Sequence, residues 1–378
     1  MLLTLFLLAA FFVVYVYALF PLILHIRALG KPELSAPDPE QWPTVSIVIA
    51  AHNEAKNLPT KFASLEELDY PTDLIEWVVV SDGSTDNTQE VAAPWFDGND
   101  KRTLLHLETS QGKVGALNEG VAIATGDIIL FMDARQPISS NSAKRLIPFL
   151  LDPTIGAATG ELVLTEDTSL EAANFGLYWR YEKWIRDNQS RLFSTTGVTG
   201  ALYAIRRKDF KPNPVGTLLD DFDTPFTLLK DHKRTIFVPG AYAYDAASDD
   251  IHQEFRRKVR NLGGNWQSFG HHPWLYSPKK NPVWVQFVSH KLGRLLVPWA
   301  LIIALVTAII GALLGNAFLI IMLLLQVVFY GVAISSYLDL PFTRAKILNF
   351  PKIFVQLNAA ALVGTLKYFF SKKAISWR

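Results

Sequence analysis

The sequence predicts an α/β domain with a mostly parallel sheet, set between N- and C-terminal transmembrane helices. Three observations carry this expectation. Four short apolar runs, Val45–Ala50, Trp77–Val80, Leu104–Leu107 and Ile128–Met132, are separated by segments that read as helices. Each run is continuously apolar, the pattern of strands covered on both faces. Around this block lie stretches with no charged residue, Met1 to Ile26, Leu295 to Leu314 and Ala317 to Tyr337, each about the ~20 residues that a bilayer-spanning helix needs.

Taken in order, the first stretch (residues 1–28) reads as an uncleaved anchor. No basic residue precedes it, its apolar core exceeds the ~7–15 residues of a secretory signal, and no cleavage site follows. Lys31 to Pro43, KPELSAPDPEQWP, is the linker into a domain expected over residues 44–290. VSIVIA opens it as a strand and gives way to AHNEAKN and a capped helix; VVV followed by SDGSTDNT repeats the pattern, with Asp86 or Asn87 able to cap a helix through QEVAAPWF. Leu104–Leu107 is a third strand, SQGKVGALNEGVAIATG a loop and third helix, and Ile128–Met132 the fourth strand. The membrane region expected over residues 291–378 holds a hairpin at 295–337, broken at Gly315-Asn316. Its last stretch, 353–370, contains Gln356, Asn358 and Lys367 and reads as either a fourth span or an interfacial helix, with the interfacial reading preferred. Basic residues at Arg27, Lys31, His290, Lys291, Arg294, Arg344, Lys346 and Lys352 place the central domain on the cytoplasmic side of a cell membrane; Lys372, Lys373 and Arg378 close the chain.

Half of the 378 residues are apolar, enough for a substantial core, and the net charge of +1 argues against nucleic acid as a partner. There is no cysteine, so disulfides and thiolate metal sites are excluded. No GxGxxG follows the first strand and no GxxxxGK[ST] occurs, which leaves dinucleotide oxidoreductases and P-loop NTPases unsupported.

In a doubly wound sheet, ligands bind at the carboxyl ends of the strands. His52-Asn53-Glu54, Ser81-Asp82-Gly83, Gln111-Gly112-Lys113 and Asp133 fall there, one group per strand. Each alone is an ordinary turn or cap signal; four at successive strand ends point to a site. LDDFD, Leu219 to Asp223, reads as an acidic first turn of a helix, which the helix dipole favours without any catalytic role. HQEFRRKVRN, His252 to Asn261, reads as a basic amphipathic helix at a membrane surface. Asn174 to Arg186, NFGLYWRYEKWIR, mixes aromatic and basic residues as a core-plus-interface helix, with lining of an acceptor mouth as the sharper alternative.

Together VSIVIAAHNEAKNL, VVVSDGSTDNT, SQGKVGALNEG, DIILFMDARQ, GALYAIRR and LLDDFDTPF, in that order over roughly Val45 to Arg260, resemble the family 2 inverting glycosyltransferases of GT-A fold, the group that includes cellulose, chitin, hyaluronan and poly-N-acetylglucosamine synthases. The resemblance implies a nucleotide-sugar donor, UDP-linked, and a glycan or lipid acceptor. It implies donor binding by Ala51, Asn53 and Glu54 in the first loop, by Asp82 and by Lys113. Asp133 would be the first carboxylate of an Asp-x-Asp motif holding Mg²⁺ or Mn²⁺. The second Asp is replaced by Arg135, which either contacts the diphosphate or pairs with a carboxylate such as Glu161. Mg²⁺ is commonly held by one or two carboxylates with phosphate oxygens and water, so one Asp suffices for a site.

The same resemblance implies Asp221 as the general base with Asp220 as its neighbour, since inversion needs one group to take the acceptor proton. Arg260 matches the arginine that grips the diphosphate, with Arg257 standing where processive members have Gln and Asn261 where they have Trp; that last change puts processivity in doubt. Gly200 and Tyr203, in an expected strand GALYAIRR, would lie near the acceptor. A polysaccharide synthase and a single-addition enzyme on a polyprenyl or glycolipid acceptor both fit, with export of a polymer needing an accessory subunit, a homo-oligomer or a very narrow channel. A weakly catalytic scaffold subunit of an envelope assembly is the alternative from another class.

Overall fold

The computed structural model describes residues 1–165, 170–246, 251–335 and 349–371, with side chains described except at 165, 170–178, 251 and 349. Tyr337, Arg344, Lys346, Lys372, Lys373 and Arg378 therefore lie outside the described residues, as do the side chains of Asn174 to Tyr178.

Seven strands form one sheet: β1 Val45–Ala51, β2 Ile75–Asp82, β3 Arg102–Leu107, β4 Ile128–Asp133, β5 Ile155–Thr165, β6 Leu202–Arg206 and β7 Arg234–Ala246. Their order is β3-β2-β1-β4-β6-β5-β7. The expected parallel set is confirmed: β1 pairs parallel with β2 and β4, and β2 with β3. β6 runs antiparallel between β4 and β5, while β5 and β7 are again parallel. Alternate side chains pack on opposite faces, Ile47, Ile49, Leu130 and Met132 in one core layer and Val48, Ile129, Phe131 and Ile205 in the other. Both faces are dry, which is why the strands read as unbroken apolar runs.

The helices that matter for function are α1 Leu2–Ala28, α2 Leu58–Glu66, α3 Thr88–Phe96, α4 Gly112–Ile123, α5 Leu170–Leu192, α6 Asp220–Lys230, α7 Ile251–His271, α8 Trp284–Leu313, α9 Ala317–Ser335 and α10 Asn349–Phe370. At the start of α3 it is Asp86 that supplies the cap: its carboxylate accepts from the Thr88 backbone N–H at 3.0 Å, whereas Asn87 makes no cap bond. Gly83 has φ +59, and a Cβ there would sit 2.6 Å from the Ser110 nitrogen, so the β2 turn closes tightly on the loop before α4.

Four helices, α1, α8, α9 and the Phe350–Phe370 part of α10, are long and apolar enough to cross a membrane. The hairpin of α8 and α9 turns where the sequence breaks, with Asn316 Oδ1 accepting from the Leu319 N–H at 3.1 Å. Its first helix begins at Trp284, upstream of the expected membrane boundary. The last helix has a span's length, and of the polar residues that made it read as interfacial Gln356 and Asn358 are buried while Lys367 is exposed; Thr365 is buried as well. α10 also docks on α7, where a Cβ at Gly364 would fall 2.7 Å from the Val259 carbonyl and 2.8 Å from the Gly263 nitrogen, and the Trp266 indole N–H donates to Thr365 at 2.9 Å. Any side chain at Gly364 must push the two helices apart, and α7 carries Arg257 and Arg260. Gly364→Leu is expected to cost about 1–3 kcal/mol by overpacking and to raise the donor KM several-fold, measured by thermal unfolding and by kinetics.

Candidate active site

The carboxyl ends of β1, β2 and β4, the N-terminus of α4 and the first turns of α6 and α7 converge on two adjoining clefts. One, of about 380 Å³, is lined by Ala50, His52, Glu54, Arg135, Arg257 and Arg260. The other, of about 340 Å³, is lined by Trp179, Arg186, Thr199, Gly200, Asp220 and Asp221. Both include Lys113 and Asp133, which stand at the junction.

Lys113 is the centre of this arrangement. Its Nζ lies 2.9 Å from Asp133 Oδ1 and 3.3 Å from Asp220 Oδ1. Burial alone would push the ammonium down, but Asp133 and Asp220 outweigh it and hold its pKa well above the ordinary lysine value. The same pairing acts in reverse on Asp133: burial raises it, Lys113 overrules, and the carboxyl ends below its usual range.

Asp220 and Asp221 are adjacent in sequence but differ in surroundings. Asp220 is buried and paired with Lys113, while its Oδ2 has no hydrogen-bond partner among the described residues. Among the described residues nothing donates a hydrogen bond to the Asp221 carboxylate. Burial and the neighbouring Asp220 charge raise the Asp221 pKa to about 6, with Lys113 pulling the other way. The third acid of LDDFD, Asp223, is committed elsewhere, accepting from Ser268 at 2.6 Å and lying 2.9 Å from His271 and 3.1 Å from His272.

Arg135 does pair with a carboxylate, as one of its two expected forms had it, but the partner is Asp245 and not Glu161. Glu161 is paired with Lys183, and Arg135 Nη2 instead meets Asp245 Oδ2 at 2.6 Å while still lining the donor-side cleft. Gln136 Nε2 donates to the same Asp245 oxygen at 3.0 Å. Beneath this turn is Lys61, fully buried, its Nζ donating to the Gln136 carbonyl at 2.8 Å; burial lowers its pKa to about 7 against the opposing pull of Asp133. Arg135→Ala removes the charge partner of a nearly buried Asp245 and loosens the turn that presents Asp133. A rise of roughly tenfold in donor KM is expected from the lost charge-assisted bond, and an unchanged KM would refute a donor role for Arg135.

Several expected site residues are placed differently. Tyr203 is a correction: it is 1% exposed and stacks on Phe131 with ring centroids 4.7 Å apart, because alternation on β6 turns it into the second core layer, so it does not line the cleft. Ala51 is likewise buried in the first core layer, and Ala50 is the residue that lines the cleft. Asn53, at φ +58, uses its side-chain oxygen to accept the Thr85 N–H at 2.8 Å, tying two loops together. Asp82 is fully buried, accepting from Ser110 Oγ at 2.7 Å and from the N–H groups of Gln111 at 2.6 Å and Gly112 at 2.9 Å. In this structure it pins the loop that presents Lys113. Glu54 does line the cleft, its carboxyl raised by burial. Gly200 precedes β6 and faces the cleft: a Cβ there would lie 3.4 Å from the Lys113 Nζ and 3.6 Å from the Asp221 Cβ.

Arg257 pairs with Glu254 at 2.7 Å, and Arg260 contacts the Asn261 side chain at 3.1 Å, both facing the cleft from α7. Trp266 is turned to α10 and cannot stand in for the Trp expected at Asn261. Residues that motif reading did not assign include Lys61, Asp245 and Lys258. Trp179 and Arg186 of the aromatic and basic stretch line the cleft that holds Asp221.

Comparison with known proteins places this geometry. Residues 46–212 match the family model described as glycosyl transferase family 2. A poly-beta-1,6-N-acetyl-D-glucosamine synthase of Staphylococcus epidermidis is 30% identical over 132 residues, 35% of this chain and 31% of that protein. An N-acetylglucosaminyltransferase of Rhizobium meliloti is 26% identical over 260 residues, covering 63% of this chain and 60% of that protein. The alignments thus span about a third and about three fifths of those relatives. The solved structure of a mannosyltransferase from Pyrobaculum calidifontis, in complex with GDP-Man and Mn2+, superposes with a TM-score of 0.77 at 23% identity, covering 98% of this chain and all of that one, and shows a shared GT-A fold.

Proposed function

We propose, on the premise that residues 46–212 form a glycosyl transferase family 2 domain, that this chain is a membrane-bound inverting glycosyltransferase. It moves a hexosyl group from a nucleotide sugar to a growing glycan or a lipid-linked acceptor. The observation that carries this reading is the pair of clefts that share Lys113, Asp133, Arg257 and Arg260, with Arg135 added in one and Asp221, which accepts no hydrogen bond among the described residues, in the other.

In this reading the donor diphosphate lies among Lys113, Arg135, Arg257 and Arg260, whose charges offset the negative charge that grows on the leaving group. The acceptor hydroxyl lies beside Asp221 and Gly200. Asp221, ionised above about pH 6, takes the hydroxyl proton as the oxygen attacks the anomeric carbon. Asp220 keeps Lys113 in place between the two clefts. A single base on the side opposite the leaving group gives inversion.

The residues fit a divalent cation in a limited way. Asp133, with its side chain 34% exposed in the cleft, would hold Mg²⁺ or Mn²⁺, with diphosphate oxygens and water as further ligands. Among the described residues no group of three or more His, Cys, Asp or Glu is arranged to hold an ion. A bound cation would supply further charge neutralisation at the diphosphate.

Basic residues at the domain ends of the membrane helices, Arg27, Lys291 and Arg294 among them, support a cytoplasmic domain in a cell membrane. The replacement of the expected Trp by Asn261 favours single addition or short products; a homo-oligomer or accessory subunit would be needed to export a long polymer.

The test is nucleoside diphosphate release by the purified full chain in lipid, over a panel of UDP- and GDP-sugars, with Mg²⁺, Mn²⁺ or chelator, and with glycan and lipid acceptors. Release from one donor establishes the reaction and its sugar, and product anomer analysis tests inversion. No release from any donor would favour the scaffold reading.

A further inference from the structure

The acceptor-side cleft runs past Asp221 toward the membrane helices. Its wall includes Trp179 and Arg186 of α5, Thr199 and Leu357 of α10. Arg186 Nη1 donates to Thr199 Oγ1 at 2.8 Å. On the same side Lys291 of α8 places its Nζ 4.2 Å from the ring centre of Phe222, the residue after the base. The nearest acid on these elements, Glu182, is already engaged by Arg294 and by His290 at 3.3 Å. Among the described residues neither Arg186 nor Lys291 makes an ion pair.

Arg186 and Lys291 both favour the ionised form of Asp221, yet among the described residues neither is bound in an ion pair with it or with another carboxylate, so both stand beside the base as unneutralised charges. Their level is also informative. Lys291 stands just before the uncharged stretch Leu295 to Leu313, at the depth where lipid headgroups lie.

We infer that Arg186 and Lys291 form an anion site for the acceptor, which is a lipid whose phosphate or diphosphate joins the lipid chain to the sugar bearing the attacking hydroxyl. This rests on the glycosyltransferase reading above and names the acceptor class for it. The chain of the lipid would lie along Leu357 and α10, the anion on Arg186 and Lys291, and the hydroxyl at Asp221. The anion is not the nucleophile: a phosphate oxygen is already ionised at neutral pH and needs no base, whereas a sugar hydroxyl does.

The experiment uses the full chain in phosphatidylcholine nanodiscs, so that the acceptor is the only anionic lipid. Two synthetic acceptors are compared, with the same sugar and alkyl chain, one joined through a diphosphate and the other through a neutral glycosidic oxygen. The diphosphate-linked acceptor is expected to be used with a kcat/KM at least about tenfold higher, a typical effect of charge-assisted anion binding. Arg186→Gln and Lys291→Gln should each narrow that ratio toward one by raising the KM for the anionic acceptor. Equal use of the two acceptors by the unsubstituted protein overturns the inference while leaving the glycosyltransferase reading intact, and this comparison does not depend on either variant folding. A ratio that both variants leave unmoved overturns it too, and assigns the two cations to holding the charge of Asp221. Absence of nucleoside diphosphate release with every donor and both acceptors overturns the reading itself and this inference with it.

Discussion

Asp221→Asn is expected to reduce transfer by about 10²–10⁴-fold, the usual worth of a general base, with nucleoside diphosphate affinity nearly unchanged. The side chain keeps its shape and loses only the ability to take a proton. Stability should not suffer: Asp221 accepts no hydrogen bond among the described residues and lies beside the like charge of Asp220, so its neutral analogue relieves repulsion. Binding of the diphosphate measured by calorimetry, beside single-turnover transfer, separates the two effects. Full transfer in this variant would move the base role elsewhere. The same assignment sets the pH profile. Because burial and Asp220 raise Asp221 to about 6, the base is protonated below that pH and ionised above it, so kcat/KM should fall as pH drops through about 6. Asp221→Asn should abolish that limb along with the activity.

Lys113→Met is the second large effect. This lysine is the one cation bonded to both Asp133 and Asp220, and its removal leaves three carboxylates around the cleft junction with that bridge gone. A fall of about 10²–10³-fold in kcat/KM is expected, in line with losing a preorganised charge at a leaving group. Lys113 lowers both Asp133 and Asp221, so in the variant both rise and the acid limb of the residual activity moves to higher pH. Lys113→Arg keeps the charge and is expected to recover part of the rate. Circular dichroism guards against simple unfolding, since stripping a partner from buried Asp220 costs stability as well, about 3–5 kcal/mol for a fully buried pair. An unshifted limb would mean that Lys113 does not govern the base.

The ordering of strands and the ends at which the chemistry gathers were legible in the chain because each rests on a local pattern. Unbroken apolar runs such as IILFM require two covered faces, and AHNE, SDGS, QGK and DAR each follow such a run directly. The hairpin break at Gly315-Asn316 and the helix opening at Asp220 follow from turn and capping chemistry within a few residues. The motif reading also singled out Asp221, Lys113, Asp133 and Arg260, and the structure gathers these around one pair of clefts.

What the sequence could not decide were relations between residues far apart in the chain or set by strand phase. Tyr203 is one residue away from facing the other side of the sheet; the phase of β6 against β4 and β5 is fixed by pairing, and it sends Tyr203 onto Phe131. Asp245 as the partner of Arg135 lies 110 positions away, on a strand brought near only by the β5–β7 pairing. Lys61 belongs to no motif, and only burial under the DARQ turn gives it a role. The last helix was ambiguous because its polar residues could face water or neighbours; packing against the neighbouring helices buries Gln356, Asn358 and Thr365 and leaves Lys367 exposed. The sequence by itself therefore determined the element types, the family resemblance and the candidate charges. Tertiary structure alone decided which charges neutralise one another and which, like Asp221, Arg186 and Lys291, make no ion pair among the described residues, because ion pairing depends on distances that no local pattern encodes.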